Sequence, residues 1–471
     1  MYAQVRKIVH LGLTTYTILT SMKRKFLSNR IVWGMRTNNA ENIHKRWSMK
    51  KIRLIILKVR WKLIKLARKY GVNLKIGLNI PSAFVTGSVG KTTTCRMLAA
   101  ILAEDGKVVG LSTTQGVYIG KETIRVGDSA NCYFASRLLI DKRVQAGVFE
   151  LARGGLLEQG IAFNGCDVGA VLNVYDNHLG LRGIHTREDM AHVKSAVVKS
   201  ARKMAVINAD DPLCLAMRDQ IVASNTCLVS MLSDNPLIID HMKAKGFAAF
   251  LNNKKKPVIN LYKGNELIGS LSATEIPASY EGAFRPALFN AMFAMALAYG
   301  MGVEFNIIRN ALSVFQSNEE TNPGRMNFYE HLPFKVLITW AGCAQALEEL
   351  AHFIQGMDFL GKKYLMFCSM GDRPNRFIKD MGKSVAGFFT HYICSDHDDL
   401  RGRPPCEAAE LLSEGLIENG VSREKITIAS SHQNALEIAL NKPSINDLLV
   451  VCTYAFDAAR KEVLLRQTSI L

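Results

Sequence analysis

The first 40 residues contain no aspartate and no glutamate. Residues 1–75 hold 19 Lys/Arg against a single acid, Glu41, so this stretch alone accounts for the formal charge of +18 on the 471-residue chain. Everything after it is balanced. A protein basic throughout, wrapped on nucleic acid, is thereby excluded, and no nucleic acid is expected as partner. A bilayer-crossing run is also missing. The moderately apolar stretch Ile8–Met22 is interrupted by four Thr and one Ser, and falls short of the roughly 20 apolar residues that a span needs. It has the acid-free, Lys/Arg-bearing look of a targeting segment but no convincing small-residue cleavage site. No C-x-x-C pair occurs among the ten cysteines. That absence removes zinc ribbons and redox pairs, and fits buried thiols in a reducing, cytoplasmic setting. There is no internal repeat and no low-complexity tract.

Residues 45–70 read as a basic amphipathic helix. Ile52, Ile55, Ile56, Val59, Leu63 and Leu66 recur at helical spacing among Lys51, Arg53, Lys58, Arg60, Lys62, Lys65, Arg68 and Lys69, with Trp47 and Trp61 as candidate interface anchors. Three placements fit this pattern: an anionic membrane surface, on the inner face of the membrane, another acidic partner, or the body of the protein with the charges in solvent. Residues 1–80 form this basic extension.

From residue 81 onward apolar strands alternate with helices, which predicts an α/β fold with a mostly parallel sheet. The chain is organised around Thr86-Gly87-Ser88-Val89-Gly90-Lys91-Thr92-Thr93-Thr94, between the apolar run Ala83–Val85 and the helical pattern from Met97. Strand, glycine loop and helix make a phosphate cradle: backbone N–H groups converge on one anion and the helix N-terminus adds positive potential. Lys91 is placed to reach the β- and γ-phosphates and the Thr92 hydroxyl to hold Mg²⁺. Position 85 is Val, so the loop is a variant of the common P-loop. Further strands are expected at Val108–Thr114, Ala146–Glu150, Val168–Val174 and Met204–Asn208, a β-rich insertion over 228–282, and a helix over 286–300. A boundary falls near 318–325, dividing a central nucleotide-binding domain (81–320) from a second α/β domain (321–471) with strands at Lys335–Thr339, Tyr364–Cys368 and Leu448–Cys452. Ligands in open α/β sheets sit at strand carboxyl ends, which places Glu150 and His178 near the P-loop. Magnesium takes oxygen ligands, so a hydroxyl and a carboxylate suffice; an imidazole suits a second ion.

The sequence resembles the Mur ligase family, most closely the ligase module of cyanophycin synthetases, from about residue 80 to the C-terminus. The resemblance rests on Val85–Thr93, Glu150-Leu151-Ala152-Arg153-Gly154-Gly155, Cys166–Gly169, Asn173, His178-Leu179-Gly180, Asn208–Pro212, Pro323–Asn327, Gly371-Asp372-Arg373 and Asp399–Pro405. It implies a P-loop central ATPase domain followed by a Rossmann-like domain, and an ATP- and Mg²⁺-dependent ligase. Such an enzyme joins an amino acid or amine to the carboxylate of a peptide-like acceptor through an acyl phosphate.

By position, the resemblance assigns Thr86, Gly87, Ser88, Val89, Gly90, Lys91, Thr92 and Thr93 to the phosphates. It assigns Thr92 and Glu150 to one metal and His178 to a second. Lys194 matches a lysine carbamylated in many relatives, Arg325 a phosphate clamp from the last domain, and Asn290 a contact to the base. Arg153, Arg401 and Arg403 are candidate substrate contacts. The family's His-Asn ahead of Asn290 is here Pro286-Ala287, and its Asp-Tyr-Ala-His-Asn-Pro stretch is Thr339–Ala344. Two other readings stay open: a membrane-associated poly-γ-glutamate synthase-like ligase and a non-catalytic nucleotide-binding scaffold. The oligomeric state is not legible.

Overall fold

The structure is a computed structural model and describes residues 40–69, 74–176, 179–180, 182–252 and 256–470, with the side chains of its first helix from Leu54 to Arg68. His178 and the side chain of Trp47 lie outside the described residues.

Two sheets organise the chain. The first has eleven strands: β1 (Ser82–Thr86), β2 (Val109–Thr113), β3 (Gly116–Ile119), β4 (Glu122–Val126), β5 (Ala146–Glu150), β6 (Cys166–Val171), β7 (Ala201–Asn208), β8 (Asn225–Ser230), β9 (Phe247–Asn252), β10 (Val258–Lys263) and β11 (Glu266–Ser272). Their spatial order is β11-β10-β9-β8-β7-β6-β1-β5-β2-β3-β4. The run from β9 to β2 is parallel, and antiparallel strands extend both ends. The β-rich segment after residue 228 is therefore a continuation of the same sheet, because β8 and β9 pair in parallel with what precedes them.

β1 is buried at every position, as expected for a parallel strand covered on both faces. Its alternation feeds two cores. Ala83 and Val85 point into one with Met97, Leu98 and Ile101 of the helix Lys91–Glu104 and the apolar helix Arg285–Gly300. Phe84 points into the other with Phe149, Phe163 and Val197. This second core also takes the basic helix α1 (Ala40–Lys69). Among its described side chains, Leu57, Trp61, Ile64 and Ala67 are buried. Trp61 Nε1 donates to Ser136 Oγ at 2.8 Å, and its ring meets Tyr133 edge-on at 5.6 Å. Trp61 is thus a packing residue and not an interface anchor. The body-facing stripe has i, i+4, i+7 spacing, one helix face away from the stripe traced through Ile55, Val59 and Leu66.

The second sheet comprises β12 (Asn327–Tyr329), β13 (Lys335–Thr339), β14 (Lys363–Ser369), β15 (His391–Asp396), β16 (Ile426–Ile428) and β17 (Leu448–Cys452). Its order is β12-β13-β17-β14-β15-β16, parallel except for the β12–β13 edge. The segment joining the two sheets is fastened to the first. Asn322 Nδ2 donates to Thr93 Oγ1 at 3.2 Å, Arg96 donates to the Thr321 carbonyl at 3.1 Å, and Gln115 donates to the Pro323 carbonyl. No helix among the described residues is long and apolar enough to cross a membrane.

Candidate active site

The carboxyl ends of β1, β5 and β6 open onto a cleft of about 1290 Å³ lined by both halves of the chain. At one end lies the loop 86–93. Gly90 has φ 84° and sits at the N-cap of the helix Lys91–Glu104; this left-handed conformation favours glycine. A Cβ there would also run into Asn290 Oδ1. The loop is held by Asn173, 1% exposed, whose Oδ1 accepts from Ser88 N at 2.8 Å and Val89 N at 2.9 Å. Thr86 is an internal prop, donating to the Leu151 carbonyl at 2.7 Å. Lys91 Nζ folds over the loop to the Ser88 carbonyl at 3.1 Å. Burial pulls its pKa down, opposed by the Glu150 carboxylate and reinforced by Arg325.

Thr92 Oγ1 donates to Glu150 Oε2 at 2.8 Å. The same carboxylate accepts from Thr114 N at 3.0 Å and Thr114 Oγ1 at 2.8 Å. A hydroxyl and a carboxylate, both oxygen donors beside a phosphate loop, match what magnesium takes from a protein. Among the described residues there is no cluster of three or more His, Cys, Asp or Glu that could hold a metal. Arg325, from the second half, faces this pair: burial lowers its pKa and the Glu150 charge raises it. Lys194 is 2% exposed and lines the cleft. Burial, with Lys91 and Arg153 adding repulsion, pushes its pKa well down against the pull of Cys214 and Asp211, so its amine is held toward the neutral form.

At the other end the cleft is lined by Arg153, Arg182, Arg373 and Arg401. Arg153 has its pKa lowered by burial and by Arg182 and Arg401, against Asp372. Arg401 pairs with Asp372 Oδ2 at 2.7 Å. Arg373, 5% exposed, donates to the Gly342 carbonyl, and its Nε has no partner among the described residues. Arg403 is not part of the lining. It ties loops together through the Gly371 carbonyl at 2.8 Å, the Arg373 carbonyl at 2.7 Å, Asn375 Oδ1 at 3.0 Å and Glu407. Asn290 sits under the phosphate loop, with Thr94 Oγ1 3.3 Å from its Oδ1. Pro286 occupies the first turn of the helix Arg285–Gly300, where a missing N–H is harmless, and lines the cleft together with Trp340.

Sequence reasoning assigned no role to Thr114, Asn173, Asn322 or Arg373. Asn173 follows β6, which pairs with β1, and Thr114 follows β2, which pairs with the strand that ends in Glu150; a place at a strand's carboxyl end was the available signal.

Residues 85–282 match the model of the Mur ligase middle domain. The cyanophycin synthetase of Geminocystis herdmanii is 35% identical over 374 residues, 79% of this chain and 42% of that protein. The chain therefore spans about two-fifths of the length of that curated relative. Among solved structures, the MurF ligase of Thermotoga maritima in complex with ADP superposes with a TM-score of 0.56 at 19% identity, covering 87% of this chain and 83% of that one. FolC of E. coli in complex with DHPP and ADP gives 0.58 at 16%, covering 83% and 89%. These structures share the fold, with its large, mostly parallel sheet and second α/β unit. Residues 85–282 thus carry a Mur ligase middle domain, and the chain is similar, over about four-fifths of its length, to one part of the cyanophycin synthetases.

Proposed function

We propose that this chain is an ATP-dependent carbon–nitrogen ligase that joins an amino acid or amine to the carboxylate of a peptide-like acceptor in the cytoplasm. Residues 81–320 serve as the nucleotide-binding domain and 321–471 as the domain that closes the cleft. The observation that carries the proposal is the pairing of Thr92 with Glu150 at 2.8 Å inside a cleft that also takes Arg325 from the other half. The named ligases among its relatives support the same reading.

A carboxylate is a poor electrophile, and phosphorylation supplies a leaving group. In the proposed sequence an acceptor oxygen attacks the γ-phosphorus, the bond to the bridging oxygen breaks, and ADP departs. The amine nitrogen then attacks the acyl carbon, the C–O bond to phosphate breaks, and the nitrogen loses a proton. The protein positions the reactants and offsets charge. Lys91 and Arg325 face the transferred phosphoryl group, and the N–H groups of residues 87–93 cradle the rest. Thr92 and Glu150 would hold Mg²⁺, which supplies charge neutralisation between the phosphates. Lys194, with its amine held toward neutrality, is suited to take up CO₂ as a carbamate and, with His178, to hold a second ion. Arg153 and Arg401 receive carboxylates of the substrates at the far end. Arg403 holds the loop of Arg401 against the loop of Arg373.

The test uses purified protein, ATP, Mg²⁺ and small-molecule extract of the cells that make it, with Lys91→Ala as blank. A new mass equal to two extract components less one water, formed with ADP and phosphate only by the unaltered chain, is the expected result. Nucleotide binding without ADP or adduct would overturn the reading in favour of a nucleotide-binding scaffold, to which the departures at Thr339–Ala344 would then belong.

A further inference from the structure

Helix α1 uses one face to pack on the body and leaves another uncovered. Opposite Leu57, Trp61 and Ile64, the outward face carries Ile55, 60% exposed, Val59, 36% exposed, and Leu66, 38% exposed, with Ile56 at 37% beside them. From 55 to 66 this stripe runs about 16 Å along the axis. Lys58, Lys62 and Lys65 border it and are exposed. Residues 42–75 contain no acid at all.

We propose that this outward face docks the protein on an anionic lipid surface, with Ile55, Val59 and Leu66 seated at the headgroup boundary and Lys58, Lys62 and Lys65 against the phosphates. Charge complementarity selects the occupant. A second copy would bring the same lysines face to face, so self-association through this face is repulsive. A nucleic-acid backbone rewards the lysines but leaves the aliphatic stripe in water. A lipid interface takes both parts, apolar side chains into the acyl boundary and lysines to the headgroups. The tight packing of Trp61 fixes the face outward. The inference does not depend on the ligase reading.

Co-sedimentation of the full chain with vesicles tests it. Vesicles of phosphatidylcholine with about a third phosphatidylglycerol should bind the protein, and pure phosphatidylcholine vesicles should not. Binding should weaken steeply with salt, since the charges are screened. Lys58→Glu/Lys62→Glu/Lys65→Glu should lower the partition coefficient about a hundredfold or more, each lysine contributing roughly fivefold. Ile55→Asp/Val59→Asp/Leu66→Asp should abolish binding while leaving the melting temperature within about two degrees, because these residues make no core contacts. Equal binding to both vesicle types, or anionic-vesicle binding undiminished in either triple variant, would overturn the proposal. Undiminished binding would place the contact elsewhere in the basic extension.

Discussion

The two ends of the cleft are built in opposite ways. The phosphate end comes from one contiguous stretch, 86–94, braced by single residues at the ends of adjacent strands: Asn173 on the loop N–H groups and Glu150 on Thr92. The arginine end is assembled from four separated segments, with Arg182 after β6 as one of them. Arg153 follows β5, Arg373 follows β14 and Arg401 follows β15, and of the four arginines two come from the second half of the chain. A contiguous motif carries its own geometry, because glycine, hydroxyl and lysine act within a few bonds of one another. A site gathered from distant loops depends on which arginine points inward and which is consumed by the scaffold. Arg401 and Arg403, two residues apart, fall on different sides of that division.

Removing the phosphate end should have the largest effect. Lys91→Ala should reduce turnover by about a thousandfold or more, the scale at which a charge aimed at a transferred phosphoryl group acts. Initial-rate measurement of ADP release checks this, with a melting curve showing the fold intact. Asn173→Ala comes next. It removes the side-chain acceptor of Val89 N, a loss of about 1–3 kcal/mol, and one of two acceptors of Ser88 N, which keeps its bond to the residue-173 carbonyl at 3.0 Å. Weaker nucleotide binding together with a lower melting temperature is the expected pair, and a fall in stability with unchanged nucleotide affinity would show that the loop holds its shape without Asn173.

The contrast between neighbouring arginines is sharpened by Arg401→Ala and Arg403→Ala. The first should raise the KM for one substrate about tenfold, a lost charge-assisted contact, and leave the KM for ATP alone. The second should lower the melting temperature by several degrees, since hydrogen bonds to a charged group contribute about 1.5–3 kcal/mol. If the two variants behave alike, the proposed division of labour is wrong.

The smallest effect concerns the second sheet. His391, on β15, bonds Thr427 Oγ1 at 2.8 Å, and burial, aided by Lys442, pushes its pKa down to about 4 from the ordinary 6.5. Between those values the unfolded chain binds a proton that the folded chain refuses, so stability should fall as pH drops through that window and be insensitive to this group above it. Denaturant midpoints at pH 7 and pH 4.5 measure the fall, and His391→Gln should reduce it.

Much of this was legible in the sequence. The apolar strands, the glycine loop and Glu150 at a strand end announce themselves through local pattern. The hairpin β3–β4 did not, because its outer strand Glu122–Val126 is short and exposed at three of its five positions, with only Ile124 and Val126 to mark an alternation. The segment 228–282 read as an insertion because its strands resemble any others; only pairing decides that β8 continues the parallel sheet. Trp61 was misplaced for a related reason. Helix α1 is apolar on two faces, so periodicity alone does not tell which one meets the body. Asn290 lies at a loop glycine that is distant in sequence, and its position follows from the packing of the helix Arg285–Gly300 on the helix Lys91–Glu104.

The most direct measurement replaces the amine with hydroxylamine. Protein, ATP and Mg²⁺ are incubated with cell extract, and mass spectrometry searches for a hydroxamate, the product of trapping an activated carboxylate. The account predicts one hydroxamate that requires ATP, is absent with Lys91→Ala, and identifies the acceptor. ADP released with no hydroxamate from any carboxylate in the extract would contradict acyl activation and with it the ligase assignment.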